Sequence, residues 1–156
     1  MPTPARISPQ PATSEAEIRG RIDTLIMAIR AMDLDGVMPI YAPDIVSFDI
    51  EPPLRHVGAQ AKRKNWTAVF TSYQRPLDYE VRDLAIIVDG SVAFAHGLAR
   101  MSGTLKSGVN KGYNKGYWVR WTSCFRRING AWLIVHDQVS VPLDVASGRV
   151  LRDLEP

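Results

Sequence analysis

The sequence predicts an α+β fold, a cone-shaped curved antiparallel sheet with three N-terminal helices packed on its concave side. Through residue 73, apolar residues mostly recur every three or four positions, which is typical of amphipathic helices. From residue 77 onward the period changes to two, as in strands. Asp89-Gly90 and Asn129-Gly130 separate such alternating stretches and favour tight hairpins. A sheet with one apolar face needs a cover, and the helices provide it.

Three helices are predicted. Ser14 and Glu17 have the spacing of a capping box, so the first helix is expected to begin at Ser14. Its apolar stripe consists of Ile18, Ile22, Leu25, Ile26 and Ile29. A short second helix follows Asp33 and is limited by Pro39 and Pro43, and a third covers residues 58–73. Residues 1–13 contain four prolines and predict a flexible arm, which leaves 14–156 as a single domain.

Five strands are predicted. The alternating stretches are 44–50, 77–88, 91–103, 117–128 and 131–143, and the last four form an antiparallel meander. The near-duplicate "NKGYNKGY" at 110–117 lies between two of them and is interpreted as a mobile hairpin loop. Its glycines do not lie between a strand and a helix, so it does not match a phosphate-binding loop.

Composition limits the classes of partner. The chain has 156 residues, a net charge of +3 and no run of 18 apolar residues, so no membrane partner is expected. Lys62, Arg63 and Lys64 are interpreted as a solvated helix face, not a nucleic-acid surface. The single cysteine, Cys124, excludes an internal disulfide and suits a reducing compartment, so we expect a cytoplasmic protein. No cofactor is expected.

The stretch "AFAHGLAR" at 93–100 suggests a pocket. Alternation places Phe94, His96, Leu98 and Arg100 on one face of a strand and the alanines and Gly97 on the other. We expect the large side chains to face the interior of the cone. The small face would then pack against another element, such as a second subunit.

The next strand extends this expected pocket with Trp118 and Arg120. Two arginines in an apolar cavity require negative partners, since an unpaired buried charge is strongly unfavourable. The partner is either internal, namely Asp49, Glu51 or Asp137, or an acidic ligand held by the guanidinium groups. Both alternatives stay open at this point.

Three segments carry a resemblance to a known family. They are "AMDLDGVMPIYAPDIVSFDIEPPLRHVG", "AFAHGLARMSG" and "CFRRINGAWLIVHDQVSVPLD", which cover most of residues 15–145. The pattern resembles the nuclear transport factor 2-like superfamily, and within it the SnoaL-like and ketosteroid-isomerase-homologue proteins. The resemblance implies the cone fold and a homodimer, but no single activity, since this scaffold serves both enzymes and binding modules.

The resemblance also implies a catalytic base. In the steroid isomerases an aspartate eight residues after the tyrosine of a Tyr-Ala-x-Asp motif removes a proton, and Asp49 follows Tyr41 at that spacing. The oxyanion donors of those isomerases are missing, because Leu25 and Ser123 or Cys124 occupy the corresponding positions. His96, Arg100 or Arg120 could stabilise the negative charge instead. Asp49 could equally serve as an ion-pair partner.

Four further residues are ligand-binding candidates. By the family register Asp137 faces inward with Val135 and Val139, while His136 lies on the other face with Trp132 and Ser140, unless a bulge intervenes. Tyr41 and Trp66 are candidates for ligand contact, with core packing as the alternative. No histidine, cysteine or carboxylate has metal-ligand spacing, so no metal is expected.

Two functions fit these observations. The first is a cofactor-independent acid–base enzyme, an isomerase, dehydratase or cyclase, acting on a small, partly apolar carbonyl or carboxylate compound. In it Asp49 would be the base, His96 the acid or proton relay, and Arg100 and Arg120 the electrostatic stabilisers. The alternative is a non-catalytic dimeric module for ligand binding or association.

Overall fold

The computed structural model describes residues 10–156 and contains three α-helices and nine strands in that range. The helices are α1 (Pro11–Ala31), α2 (Leu34–Val37) and α3 (Ala59–Ser72), and a 3-10 turn, Met38–Ile40, follows α2. The strands are β1 (Tyr41–Phe48), β2 (His56–Val57), β3 (Tyr73–Asp89), β4 (Val92–Leu105), β5 (Gly112–Asn114), β6 (Trp118–Ile128), β7 (Ala131–Ser140), β8 (Leu143–Asp144) and β9 (Arg149–Val150).

The sheet follows the predicted cone with one difference. Its strand order is β2-β1-β7-β6-β4-β3, and the meander of β3, β4, β6 and β7 is antiparallel as predicted. The strand β1 joins the meander by pairing parallel to β7, so the sheet is mixed and not wholly antiparallel. Short β5 pairs with the end of β4, and β8 and β9 form a separate hairpin.

Helix α1 begins three residues earlier than the capping box predicts. Gln10 is the residue before its first turn, and Pro11 suits the first helical position because its missing N–H would have no partner there. Ser14 lies within the helix, almost fully buried, and does not act as the cap. Residues 11–13 of the predicted flexible arm are therefore helical, and residues 1–9 lie outside the described residues.

The concave side of the sheet packs against α1 and α3. The predicted stripe of α1 is buried there, with Ile18, Ile22 and Ile29 fully inaccessible to solvent. Trp132 of β7 is also buried, and its indole N–H donates to the carboxylate of Glu17 at 3.1 Å, which ties α1 to the sheet.

The sheet curls strongly where β3 and β4 pair. The register of this pair shifts between Arg82 and Ala85, and Asp83 in this bulge adopts a left-handed φ of 54°. Opposite it stands Gly97, where a Cβ atom would lie 2.9 Å from the carbonyl oxygen of Arg82. The backbones approach so closely that only glycine fits at position 97. Among residues 10–156, no helix is both long and apolar enough to cross a membrane.

Two glycines with the same φ offer a matched test of the packing at the end of β4. Gly116 and Gly148 both have φ of +69°, but a Cβ on Gly116 would lie 1.9 Å from the carbonyl oxygen of Met101, whereas Gly148 has free space around it. We expect Gly148→Ala to cost about 1–2 kcal/mol, the ordinary penalty of a left-handed conformation. Gly116→Ala should cost clearly more, because the backbone must also move.

Urea denaturation of both variants measures this difference in the free energy of unfolding. Equal losses in the two variants would show that the contact with Met101 does not hold the segment before β6 in place.

Candidate functional site

The space between the helices and the concave face of the sheet is a cavity of about 1010 Å³. Apolar side chains of α1, α3 and the meander strands form most of its deep wall. Several of its exposed lining residues belong to the segment 110–117, which places the mouth at that end. The predicted mobile hairpin loop is therefore part of the cavity wall, and Gly112–Asn114 within it forms β5.

The cavity exists because the small side chains of β4 face inward. Ala93, Ala95 and Ala99 are buried on the concave side, and Ala99 lines the cavity itself. The prediction that the large side chains of this strand point into the cone is wrong. On a strongly curled sheet the concave face offers less room per residue, so short side chains there leave space in the interior.

His96 and Arg100 consequently lie on the convex face, outside the cavity. His96 is exposed and stacks loosely against Phe94, with ring centroids 6.4 Å apart. Arg100 donates to the carboxylate of Glu80 at 2.9 Å. Neither side chain can reach a molecule bound inside the cone.

Trp118 and Arg120 share that face. The indole of Trp118 is buried under the guanidinium groups of Arg82 and Arg100, 4.8 and 4.7 Å from its ring centroid. Its N–H donates to Glu155 at 2.9 Å. Arg120 donates to the hydroxyl of Ser140 at 3.1 Å and to the carbonyl oxygen of Val141 at 3.3 Å. The two predicted arginines thus have partners on the outer face and none of the three interior carboxylates.

A bulge in β7 decides which side chains enter the cavity. The pairing with β6 shifts between His136 and Ile134, which leaves Val135 as the extra residue. Trp132 and Ile134 are therefore buried with Asp137, and the predicted outward position of Trp132 is wrong. Asp137 lines the cavity, as the family register predicts.

His136 lies outside the cavity, as that register also predicts. Its Nδ1–H donates to the carbonyl oxygen of Val46 at 2.7 Å, because the carbonyl can only accept. Its ring stands edge-on to Phe48 at 4.8 Å. His136 therefore fastens β7 to β1 and does not line the cavity.

A buried ion pair forms the polar centre of the cavity. The ammonium group of Lys62, on α3, lies 3.0 Å from Oδ2 of Asp137 and donates to the hydroxyl of Ser47 at 2.9 Å. Both charged side chains are more than nine-tenths buried. The second carboxylate oxygen, Oδ1, has no hydrogen-bond partner among residues 10–156. Such an oxygen is energetically unfavourable in an empty site and can accept a proton or a hydrogen bond from a ligand.

Lys62 was predicted to lie on a solvated helix face, and that prediction is wrong. The signal was available in the helical spacing, because Lys62, Trp66 and Val69 follow one another at intervals of four and three. All three residues line the cavity. Arg63, one position further, points outward and pairs with Asp35 at 2.7 Å.

Five tyrosines line the cavity, and two of them, Tyr41 and Tyr79, lie close enough to Asp137 to feel its charge. The indole N–H of Trp66 donates to the Tyr41 oxygen at 3.0 Å, so the Tyr41 hydroxyl keeps its own proton for another acceptor. Burial raises the pKa of Tyr41 well above its usual value, and the charge of Asp137 raises it further. Burial and the same carboxylate also raise the pKa of Tyr79. Both phenols are therefore neutral hydrogen-bond donors at physiological pH.

Asp49 lines the cavity directly after the end of β1. It lies two residues beyond Ser47, which corresponds to about 7 Å along an extended chain. One of its oxygens accepts from the backbone N–H of Ile50 at 2.8 Å. Exposed Ile50 and Glu51 follow it, so Asp49 lies nearer the mouth than Asp137 does.

The arrangement suits proton transfer. Neutral phenols can donate hydrogen bonds to a carbonyl oxygen while a carboxylate removes a proton from the neighbouring carbon. Within the part of the chain described, no group of three or more histidine, cysteine, aspartate or glutamate side chains is arranged to hold a metal ion.

The family of the chain follows from its sequence match. Residues 18–144 match the SnoaL-like domain model. The chain belongs to the SnoaL-like family. A nuclear transport factor 2-like protein of unknown function from Pseudomonas putida has a crystal structure that is similar with a TM-score of 0.81 and 30% identity, covering 93% of this chain and 98% of that one. No curated protein matches this sequence.

More distant structures share the fold. A ketosteroid isomerase-like protein from Erwinia carotovora atroseptica superposes with a TM-score of 0.66 at 18% identity, over 80% of this chain and 93% of that one. A nuclear transport factor 2-like protein from Streptomyces avermitilis, whose description proposes a dehydratase, does so with a TM-score of 0.72 at 13% identity, over 86% and 100%. At these identities the likeness establishes the cone fold alone.

The ion pair can be tested by removing one or both of its charges. Lys62→Met leaves the carboxylate of Asp137 buried and unpaired, so we expect a loss of about 3–5 kcal/mol in the free energy of unfolding. The double variant Lys62→Met/Asp137→Leu should regain most of that loss, because it buries no charge. Urea denaturation at neutral pH checks both values. A double variant as unstable as the single one would contradict the pairing.

Proposed function

We propose that this SnoaL-like protein is a cofactor-independent acid–base enzyme that acts on a small, partly apolar carbonyl or carboxylate compound. The observation that carries the proposal is the free Oδ1 of Asp137, which is buried in the wall of a cavity whose lining includes the neutral phenols of Tyr41 and Tyr79. A cytoplasmic location is part of the proposal, since one free cysteine suits a reducing compartment.

Each polar group of the cavity has a role in this reaction. The hydroxyls of Tyr41 and Tyr79 hold the substrate oxygen and stabilise the negative charge that develops on it. Asp137 removes a proton from the carbon next to the carbonyl and returns it to another carbon or to a leaving hydroxyl. Lys62 keeps the other carboxylate oxygen in place, so it is a positioning residue. Asp49, nearer the mouth, is the second carboxylate available for proton exchange.

This assignment changes the roles inferred from sequence. Asp137, which was predicted to bind the ligand, becomes the principal base because it is buried beside the phenols. His96 has no role, since it is exposed on the other side of the sheet. The family background is compatible with proton transfer, because one structural neighbour is described as ketosteroid isomerase-like and another as a proposed dehydratase.

Deuterium incorporation tests the reaction without knowledge of the natural substrate. A panel of small cyclic ketones, unsaturated ketones and keto acids is incubated with the protein in D₂O, and proton NMR follows exchange at the carbon next to the carbonyl. We expect the wild type to accelerate exchange of some members of the panel. Asp137→Asn should reduce that rate by about 10²–10⁴-fold, the usual contribution of a positioned base.

Two further variants make this experiment decisive. Asp44→Asn alters an exposed carboxylate on β1 and should leave the rate unchanged. Lys62→Met/Asp137→Asn removes the unpaired lysine that would destabilise Asp137→Asn, and it should fold but stay inactive. Exchange that persists in a folded Asp137→Asn variant would eliminate Asp137 as the base.

The alternative is a non-catalytic ligand-binding or association module. It is favoured by the ion pair itself, since the charge of Lys62 neutralises that of Asp137. The two functions give different results with the same panel. A binding module is stabilised against heat by its ligand but incorporates no deuterium.

We also propose a homodimer formed through the convex face of the sheet. The small-residue face of β4 cannot be this interface, because it faces inward. Two registered rows of uncharged residues cross five strands on the convex side. They are Val46, His136, Cys124, Phe94 and Ile87, and Phe48, Gln138, Thr122, His96 and Ala85. Phe48, Ile87 and Phe94 are each about two-fifths exposed, which is unusual for a monomer surface.

Light scattering at micromolar concentration should give about twice the chain mass of 17.4 kDa. Phe94→Glu places a charge in the middle of the uncharged rows and should yield monomers. Met27→Glu alters an exposed apolar residue on α1 and should leave the mass unchanged. A wild-type protein with the mass of one chain would exclude the dimer at that concentration.

A further inference from the structure

We infer that the ligand of the cavity ends in a carboxylate and that Arg152, on the C-terminal segment, binds this group at the mouth. The inference rests on the proposed function to the extent that the cavity must hold a small molecule. It adds the chemical class of that molecule and a specificity-determining residue that lies outside the folded meander.

Arg152 lies at the mouth of the cavity, and its guanidinium group can bind an anion there. Its guanidinium group lies over the ring of Tyr117, 5.3 Å from the centroid, and both residues line the cavity. No N–H group of this guanidinium donates a hydrogen bond within residues 10–156, and its paired N–H groups suit the two oxygens of a carboxylate. No acidic side chain among residues 10–156 lies within 4.0 Å of it.

The charges of the lining favour an anion at this end. Lys62 and Asp137 neutralise one another deep in the cavity. The remaining charged groups of the lining are three cations, Lys111, Lys115 and Arg152, against two carboxylates, Asp49 and Glu51. In the described structure none of these carboxylates lies within ion-pair distance of a cation, so the rim has one positive charge in excess. A rim with positive groups attracts and orients an acidic ligand.

The C-terminal segment holds Arg152 from both sides. On one side the backbone N–H of Leu151 donates to the carbonyl oxygen of Pro142 at 2.9 Å. On the other, Glu155 accepts from the indole of Trp118 at 2.9 Å and lies 3.8 Å from the guanidinium of Arg100. The position of Arg152 at the mouth is therefore built into the fold.

This explains what Arg100 and Trp118 do on the outer face. Both residues were expected to bind the ligand directly, but neither lines the cavity. They anchor Glu155, three residues after Arg152, and so act through it as positioning residues. An acidic ligand, as expected from the sequence, is proposed again, but its partner is Arg152 and not Arg100 or Arg120.

A matched pair of probes separates charge from shape. 1-Naphthoate and its methyl ester have the same apolar body and differ in the negative charge, and isothermal titration calorimetry gives the Kd of each. We expect the wild-type protein to bind the acid about tenfold more tightly than the ester, the usual contribution of a charged hydrogen bond. Arg152→Gln should remove this preference by weakening the acid and leaving the ester unchanged.

Two variants of the same segment complete the test. Arg149→Gln removes an exposed cation of β9 that does not line the cavity, and it should bind both probes like the wild type. Glu155→Gln releases the anchor and should weaken the acid but not the ester. Because Arg152 and Arg149 are exposed, these substitutions leave the core intact.

The inference is overturned if the wild type binds acid and ester equally, if Arg152→Gln weakens both alike, or if neither probe binds. Calorimetry measures binding, whereas deuterium incorporation measures proton transfer, so the two proposals fail separately. A wild-type protein that catalyses exchange but binds acid and ester equally would reject the role of Arg152 alone. A preserved preference without any exchange would reject the enzyme and keep the acid-binding site.

Discussion

The buried contact between Lys62 and Asp137 is the constraint on which the rest of the site depends. It joins a helix to the last strand of the meander, and the hydroxyl of Ser47 brings in the first strand as well. A charge removed from water must remain within hydrogen-bond distance of its partner, so α3 can neither slide nor tilt far over the sheet. The width of the cavity is set by this requirement, and with it the distance at which Tyr41 and Trp66 face the opposite wall.

The cone is hollow because β4 places small side chains on its concave face. The alanines of β4 pack under the helices, whereas Phe94 and His96 are left on the outside. A pocket needs empty space as well as chemical groups, and the curl of the sheet makes space scarce on the concave face. The chemical groups therefore come from other elements, namely α3, β1, β3 and β7.

The sequence predicted the meander well and the site only in part. Period-two alternation and the two Asx-Gly turns are local features, and they indicated the order of the strands correctly. Alternation also placed His96 and Ala95 on opposite faces of β4. Alternation alone, however, does not show which face of a curled sheet is concave. The bulge at Val135 and the parallel pairing of β1 depend on contacts between distant segments, so no local pattern revealed them. Lys62 is different, because its spacing of four residues from Trp66 already indicated that both lie on the same face of α3. The adjacent basic residues Arg63 and Lys64 led to the wrong interpretation of a solvated face.

The parallel pairing of β1 with β7 has a consequence for the order in which the chain folds during synthesis. The bond from His136 to the carbonyl of Val46 spans 90 positions, so a segment made early must wait for one made late. During synthesis the meander can assemble from neighbouring hairpins, while the first strand can pair only with the two-residue β2 until β7 has left the ribosome. Ser47, Lys62 and Asp137 therefore come together only at the end, and a nascent chain that still lacks β7 has no ion pair at the centre of its cavity.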